Sequence, residues 1–211
     1  FAQWAKDYPV ESWLIGGIHI WPILKKIIFF TIIGDKAIAF VKPSSIFSRI
    51  YKKRKELIKA WVYVKRLKLK KTNFLFSSGY EQRIVYKNRE YNRFIEPLMD
   101  YLEEQGEESY LLEYPVLKKN RINRPERIVD IIRMLPLYSS SSNKSKYVEE
   151  LKQLLEFEDF LKSVFEKTGI DVGYNKTKLI KIILSIKSWE KVYTKIIKRT
   201  NPRYVISLVY Y

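Results

Sequence analysis

From Ile46 the apolar positions Ile46, Phe47, Ile50, Tyr51, Leu57, Ile58, Trp61 and Val62 recur at steps of three and four residues. That spacing predicts an amphipathic helix with one buried face. Upstream, "WLIGGIHIWPIL" (13–24) reads as a short extended stretch with two glycines, followed by Trp21 and Pro22. Proline's fixed φ suits a helix start there, predicting a helix through about Phe40. "NFLFSS" (73–78) is too short for a helix and rich in aromatic and aliphatic residues, which predicts a strand. An acidic helical pattern then runs from about Glu90 to Gln105 and stops at Gly106, and "SYLLEY" (109–114) predicts a second strand. Strand, crossover helix and strand at this spacing form a βαβ unit with parallel strands.

Beyond it, residues 115–136 are basic and irregular, with a short helix near Glu126 to Met134, and "SSSSNKSK" (139–146) is low in complexity. Two amphipathic helices are expected at about Tyr147–Thr168 and Thr177–Thr200. The second carries Leu179, Ile182, Ile183, Ile186, Trp189, Tyr193, Ile196 and Ile197 on one side. Asn201 and Pro202 stop it before "RYVISLVYY" (203–211), an almost wholly apolar strand expected to be buried on both faces in the middle of a sheet. The expected fold is α/β: an open Rossmann-like parallel sheet with flanking helices and an N-terminal helical attachment. The division expected is 1–71 for a helical segment and 72–211 for the sheet domain, truncated at its C-terminal end.

Composition narrows the chemistry. The 211 residues are 46% hydrophobic and 15% aromatic, enough for a real core. No cysteine is present and His19 is the lone histidine, so disulfides, thiolate chemistry and a histidine metal site are excluded and no metal is expected. His19, between Ile18 and Ile20, reads as a hydrogen-bonded structural residue rather than a catalyst. The apolar run Ile27–Ile33 falls far short of the roughly 18 residues a membrane span needs. The chain starts on Phe1 and ends on Tyr210 and Tyr211 without turn residues, and so reads as a piece of a longer protein.

Lys and Arg number 40 against 23 Asp and Glu, a net charge of +17 that calls for an anionic partner. The charge is local. From Arg49 to Lys71 there are eleven cations (49, 52, 53, 54, 55, 59, 65, 66, 68, 70 and 71) and one acid, Glu56. Three readings of this helix stay open: a solvated face, a surface docked on anionic lipid through Lys52, Lys53, Arg54, Lys55 and Lys59, or a phosphate-backbone contact in a nucleic-acid-binding module. No nucleic-acid reading motif accompanies the last.

In open α/β sheets, ligands bind beyond the carboxyl ends of the strands. Those ends hold Ser77, Ser78 and Gly79, then Glu113 and Tyr114, then Tyr210 and Tyr211. Small hydroxyls and a glycine admit a polar ligand closely, and they equally serve as turn residues. Arg83, Tyr86, Asn88, Arg89 and Arg93 follow in the loop, where an arginine can clamp a phosphate. Glu113 has two readings, a base at a strand end or a partner for a neighbouring arginine. No glycine-rich phosphate loop of the dinucleotide or P-loop type occurs.

Three blocks carry a resemblance. "WLIGGIHIWPILKKIIFF" (13–30) resembles the N-terminal motif of bacterial proteins of surface-polysaccharide biosynthesis. "LFSSGYEQRIVYKNREYNRFIEPLMDYLEEQG" (75–106) is similar to their next block, and "NPRYVISLVYY" (201–211) to the strand leading into the second half of their N-terminal domain. These are glycosyltransferase-like proteins of the two-Rossmann-domain, GT-B type. The resemblance implies transfer of a sugar from a nucleotide-sugar donor to a surface-glycan or lipid-linked acceptor, in the cytoplasm on the inner face of the cell membrane. Ser77, Ser78, Gly79 and Arg83 would line one wall of an interdomain cleft, on the acceptor side by the resemblance, with Tyr86, Asn88, Tyr114 and Tyr210 as further substrate-binding residues and Glu113 as the candidate base. A non-enzymatic scaffold that kept the fold is the remaining alternative. Lys25 and Lys26 stand where an arginine is expected, and the sequence stops before the second domain that supplies most sugar-nucleotide contacts.

Overall fold

A computed structural model of the chain describes residues 5–33, 46–79, 83–86, 88–114, 126–139, 143–169 and 172–207. Two compact units emerge, residues 1–44 with 139–188, and 45–138 with 189–211. This division departs from the boundary expected at 71/72. The N-terminal segment buries its apolar side chains against helices from the second half of the sequence, which no local pattern announces.

In the first unit, strands β1 (Leu14–Ile15) and β2 (Ile18–His19) form an antiparallel hairpin turned by Gly16 and Gly17, whose φ values of 57° and 73° are left-handed. A Cβ on Gly16 would also lie 2.8 Å from the Tyr147 ring, so glycine is required twice over. His19 Nε2 donates to the Val10 carbonyl at 3.0 Å, which is the structural role expected of it. Helix α1 (Trp21–Ile33) opens on Trp21 and Pro22 and buries Trp21, Leu24, Ile27 and Ile28. The single helix expected at 147–168 is two, α5 (Lys144–Lys152) and α6 (Phe157–Thr168), parted at Glu156, whose φ of 57° no helix accommodates. Phe157, Phe160, Leu161 and Val164 form the buried stripe of α6. They pack with Trp13, Trp21 and Leu24, and with Leu179, Ile180 and Ile183 of α7 (Val172–Thr200).

The second unit is a Rossmann-like α/β sheet. Four strands, β3 (Phe74–Gly79), β6 (Ser109–Tyr114), β7 (Ile128–Asp130) and β8 (Tyr204–Ser207), lie in the order β7-β6-β3-β8 with every pairing parallel. Leu75, Tyr110, Leu112 and Val129 face one side, packed with Tyr63 and Leu67 beside helix α2 (Ile46–Arg66), with Ile131 and Met134 of α4 (Ile131–Met134), and with Val192 and Ile196 of α7. Phe76, Leu111 and Ile128 face the other side against Ile95, Met99 and Leu102 around α3 (Glu96–Glu104). Alternation within each strand thus serves two cores, the reason the strands read as continuous apolar runs.

Four expectations are corrected here. Residues 89–92 are not the start of the acidic helix; they form strand β5 (Arg89–Asn92), paired antiparallel with β4 (Arg83–Tyr86). Asn92 Oδ1 accepts from the N–H groups of Phe94 and Ile95 at 3.2 and 3.0 Å, which holds the chain in a turn ahead of α3. Residues 128–130 are strand β7 rather than helix, and only Ile131–Met134 are α-helical. Strand β8 is an edge strand among those described, with Tyr204, Val205 and Ile206 exposed, rather than a central buried one. On α2, Ile58 and Trp61 are 63% and 51% exposed, so the buried stripe runs instead through Ala60, Tyr63 and Val64.

Candidate functional site at the strand ends

Chain order and sheet order part company at β3. The βαβ crossover through α3 carries the chain from β3 to β6 on one side, whereas β8 pairs with β3 on the other. A reversal of this kind opens a crevice at the carboxyl ends of the two flanking strands. Ser77 and Ser207 are neighbours in register on these two paired strands, Ser77 half-buried and Ser207 exposed. Gly79 and Tyr114 close the parallel pairing of β3 and β6 at the same end.

Next to this crevice is a buried polar cluster. Ser78 and Glu113 are in register on the α3 side of the sheet, both fully covered. Arg83 reaches in from β4, and its Nε and Nη2 each lie 2.6 Å from Glu113 Oε2. Its Nη1 donates to the Glu90 carbonyl at 2.9 Å and lies 3.4 Å from Glu96 Oε1. Asn92 links the remaining members, its Nδ2 donating to Ser78 Oγ at 3.1 Å and lying 3.5 Å from Glu113 Oε1. Its backbone N–H donates to Glu96 Oε1 at 2.8 Å. Arg83 and Glu96 side chains are each 2% exposed, and that of Glu113 is 0%.

Two carboxylates thus share one guanidinium out of water. Burial pushes the Glu113 carboxyl above its ordinary value, opposed by the Arg83 charge and hydrogen bond and by Asn92, and reinforced by the Glu96 charge. A raised folded-state value means that the native protein holds this proton more tightly than the unfolded chain. The resulting contribution to stability is complete below about pH 4.5 and is lost as pH rises through the folded-state value. Glu113→Gln should remove that downward slope, which cannot exceed about 1.4 kcal/mol per pH unit for one proton. Urea unfolding of both proteins from pH 4 to 8 measures it. Parallel stability profiles would mean that Glu113 titrates alike in the folded and unfolded chain.

The other expected residues divide clearly. Asn88 sits at φ 62° in the turn between β4 and β5, a backbone role. Tyr86 and Tyr114 end strands β4 and β6, their side chains lying outside the described set, and Tyr210 lies outside the described residues altogether. Lys52 and Lys53 lie on α2 with side chains not described, whereas Arg54, Lys55 and Lys59 are exposed, Lys59 pairing with Glu56 at 3.3 Å. Sequence reasoning missed Asn92 and Glu96. The available signal was an asparagine four residues ahead of a Glu-Pro pair, a helix entry that the acidic pattern around it obscured. Among the described residues no cluster of three or more His, Cys, Asp or Glu is placed to hold a metal ion. Comparisons with protein families, curated proteins and solved structures found no match for this chain.

Proposed function

We propose that the crevice between β3 and β8 is the substrate edge of a GT-B-like glycosyltransferase. It would receive a nucleotide-sugar donor or glycan acceptor at Ser77, with the Arg83–Glu113 cluster fixing the neighbouring strand ends. The observation that supports this reading is the reversal of strand order at β3, which leaves Ser77 and Ser207 in register at one parallel edge. In sugar transfer a base activates the acceptor hydroxyl while positive groups steady the departing phosphate. Glu113, sealed by Arg83 and Asn92, acts in this reading by positioning, and would serve as base only once the β4–β5 hairpin lifts.

No described helix is long and apolar enough to cross a membrane. The exposed cations Arg54, Lys55 and Lys59 support attachment of the protein from the cytoplasm to the anionic inner face of the cell membrane. The test is a panel of nucleotide sugars presented to the full-length protein, read by calorimetry and by product formation. Binding of one of them, reduced at least tenfold by Ser77→Leu with the fold retained, is expected. Failure to bind, hydrolyse or transfer from any donor, together with retardation of nucleic acid whose affinity falls with salt, would replace this reading by nucleic-acid binding through the same cations.

A further inference from the structure

The exposed apolar side chains of α2 lie beside a groove of about 830 Å³ within the second unit. Val62 and Tyr63 of α2, Leu67 just beyond it, and Ile132 of α4 with Pro136 supply its apolar lining. Tyr63 is anchored there because its hydroxyl accepts from the Asp130 N–H at 2.8 Å, and burial pushes its pKa up to about 12. The groove is therefore a formed feature, of a size that holds small organic ligands.

Its rim is cationic. Lys59, Arg66, Lys68 and Arg133 line it against Glu56 and Glu126, an excess of two positive charges. Lys59 is paired with Glu56 and Arg133 with Asp130, at 3.3 and 2.8 Å. Arg66 and Lys68 are exposed and make no ion pair among the described residues. Ile58, also at the groove, and Trp61 one turn on are more than half exposed, and Lys65 Nζ stands 4.0 Å over the Trp61 ring. An apolar trough with unpaired cations at its rim, flanked by an exposed tryptophan, complements a molecule with an apolar chain and an anionic head.

We propose that this groove takes an acyl chain of an anionic bilayer phospholipid, with Arg66 and Lys68 on its phosphate and Ile58 and Trp61 entering the interface. The inference rests on the membrane-attachment part of the function proposed above and adds to it a discrete lipid site. A diffuse positive surface would respond to charge alone, whereas a groove requires both the chain and the head group.

The experiment uses the full-length protein and two kinds of probe. Co-sedimentation compares vesicles of phosphatidylcholine with and without phosphatidylglycerol. Titration with dihexanoyl phosphatidylglycerol, dihexanoyl phosphatidylcholine or inorganic phosphate then probes the site without a bilayer. Arg66→Gln with Lys68→Gln should weaken binding to anionic vesicles roughly thirtyfold, since each cation near such a surface contributes about fivefold. Lys70→Gln with Lys71→Gln, which removes the same charge away from the groove, should weaken it clearly less. Ile132→Asp, at a position 42% exposed and so tolerant of the change, should abolish saturable binding of the short-chain anionic lipid.

Equal losses in the two charge variants, or inorganic phosphate binding as well as the lipid, would overturn the groove and leave a diffuse cationic face or an ion site. Absence of binding to any vesicle would instead remove the membrane attachment itself. Sugar transfer to a soluble acceptor, measured on the same variants, should be unchanged, so that loss of lipid binding is not confused with failure of the sugar-transfer reading.

Discussion

Arg83→Met should destabilise the second unit by roughly 3–5 kcal/mol at neutral pH, because it strands buried carboxylates without their cation. Glu113 and Glu96 both draw on this guanidinium, and the Glu90 carbonyl loses the Arg83 hydrogen bond as well. The side chain of Arg83 is 2% exposed, so water does not compensate. With the lowering influence of Arg83 gone, the already raised Glu113 carboxyl will hold its proton to still higher pH. The loss should therefore shrink as pH falls toward 4.5, where a neutral Glu113 no longer needs the cation. Adding Glu113→Gln to Arg83→Met should recover part of the loss at neutral pH, because a buried amide costs less than a buried unpaired charge. Urea denaturation of the single and double variants at two pH values gives all four quantities. A loss under about 1 kcal/mol for Arg83→Met would show that the β4–β5 hairpin simply opens and hydrates the cluster.

Much of the sheet was legible because its strands are short apolar runs bounded by turn residues. β3 and β6 appear at the places their composition indicated, with a helix between them and parallel pairing. Where reading failed, the deciding force was not local. Residues 89–92 carry acids that suit a helix, yet Tyr91 pairs across to Ile84, and Asn92 satisfies the N–H groups ahead of α3. The three residues of β7 were too few to show a period, and only their place beside β6 makes them a strand. β8 is as apolar as a central strand, but among the described elements it has a neighbour on one side alone. Likewise the heptad-like spacing of α2 fits Ile58 and Trp61 on a buried stripe, and only the position of the sheet decides that Tyr63 and Val64 face inward instead.

The candidate site shows the same division. Strand-end logic selects Ser77, Ser78 and Glu113, because a βαβ unit fixes where strands end. Arg83 joins Glu113 through a hairpin whose pairing the sequence did not disclose, and this contact favours the arginine-partner reading of Glu113 over that of an exposed base. Asn92 and Glu96 were hidden by the boundary error in α3, since a residue placed inside a helix is not read as holding the turn ahead of it. The groove beside α2 could not be foreseen at all. It depends on Ile132 and Pro136 facing α2 across a gap, a relation between elements about 70 residues apart in sequence.

Trp13→Ala should cost the first unit about 3–5 kcal/mol, the usual range for removing a fully buried large aromatic. Trp13 is 0% exposed and lies edge-to-face with Phe157 and Phe160 at centroid distances of 5.2 and 5.3 Å and with Trp21 at 6.4 Å. Its indole Nε1 donates to the Leu155 carbonyl at 2.9 Å, tying the segment before β1 to the bend between α5 and α6. One substitution therefore opens a cavity among three aromatic rings and removes the donor to the Leu155 carbonyl, next to Glu156 with its left-handed φ. Trp13→Phe keeps most of the apolar volume and loses only the donor, so its cost should be nearer 1–2 kcal/mol. Hydrogen exchange separates this from a global effect. Amides of Phe160, Leu161 and Val164 should exchange faster in Trp13→Ala, while those of Leu75, Phe76 and Leu111 in the parallel sheet keep their protection. Equal acceleration in both sets would mean that the two units unfold as one cooperative body. No acceleration in either would mean that Phe157 and Phe160 close over the vacated space, and that the indole is filler rather than the keystone of this core.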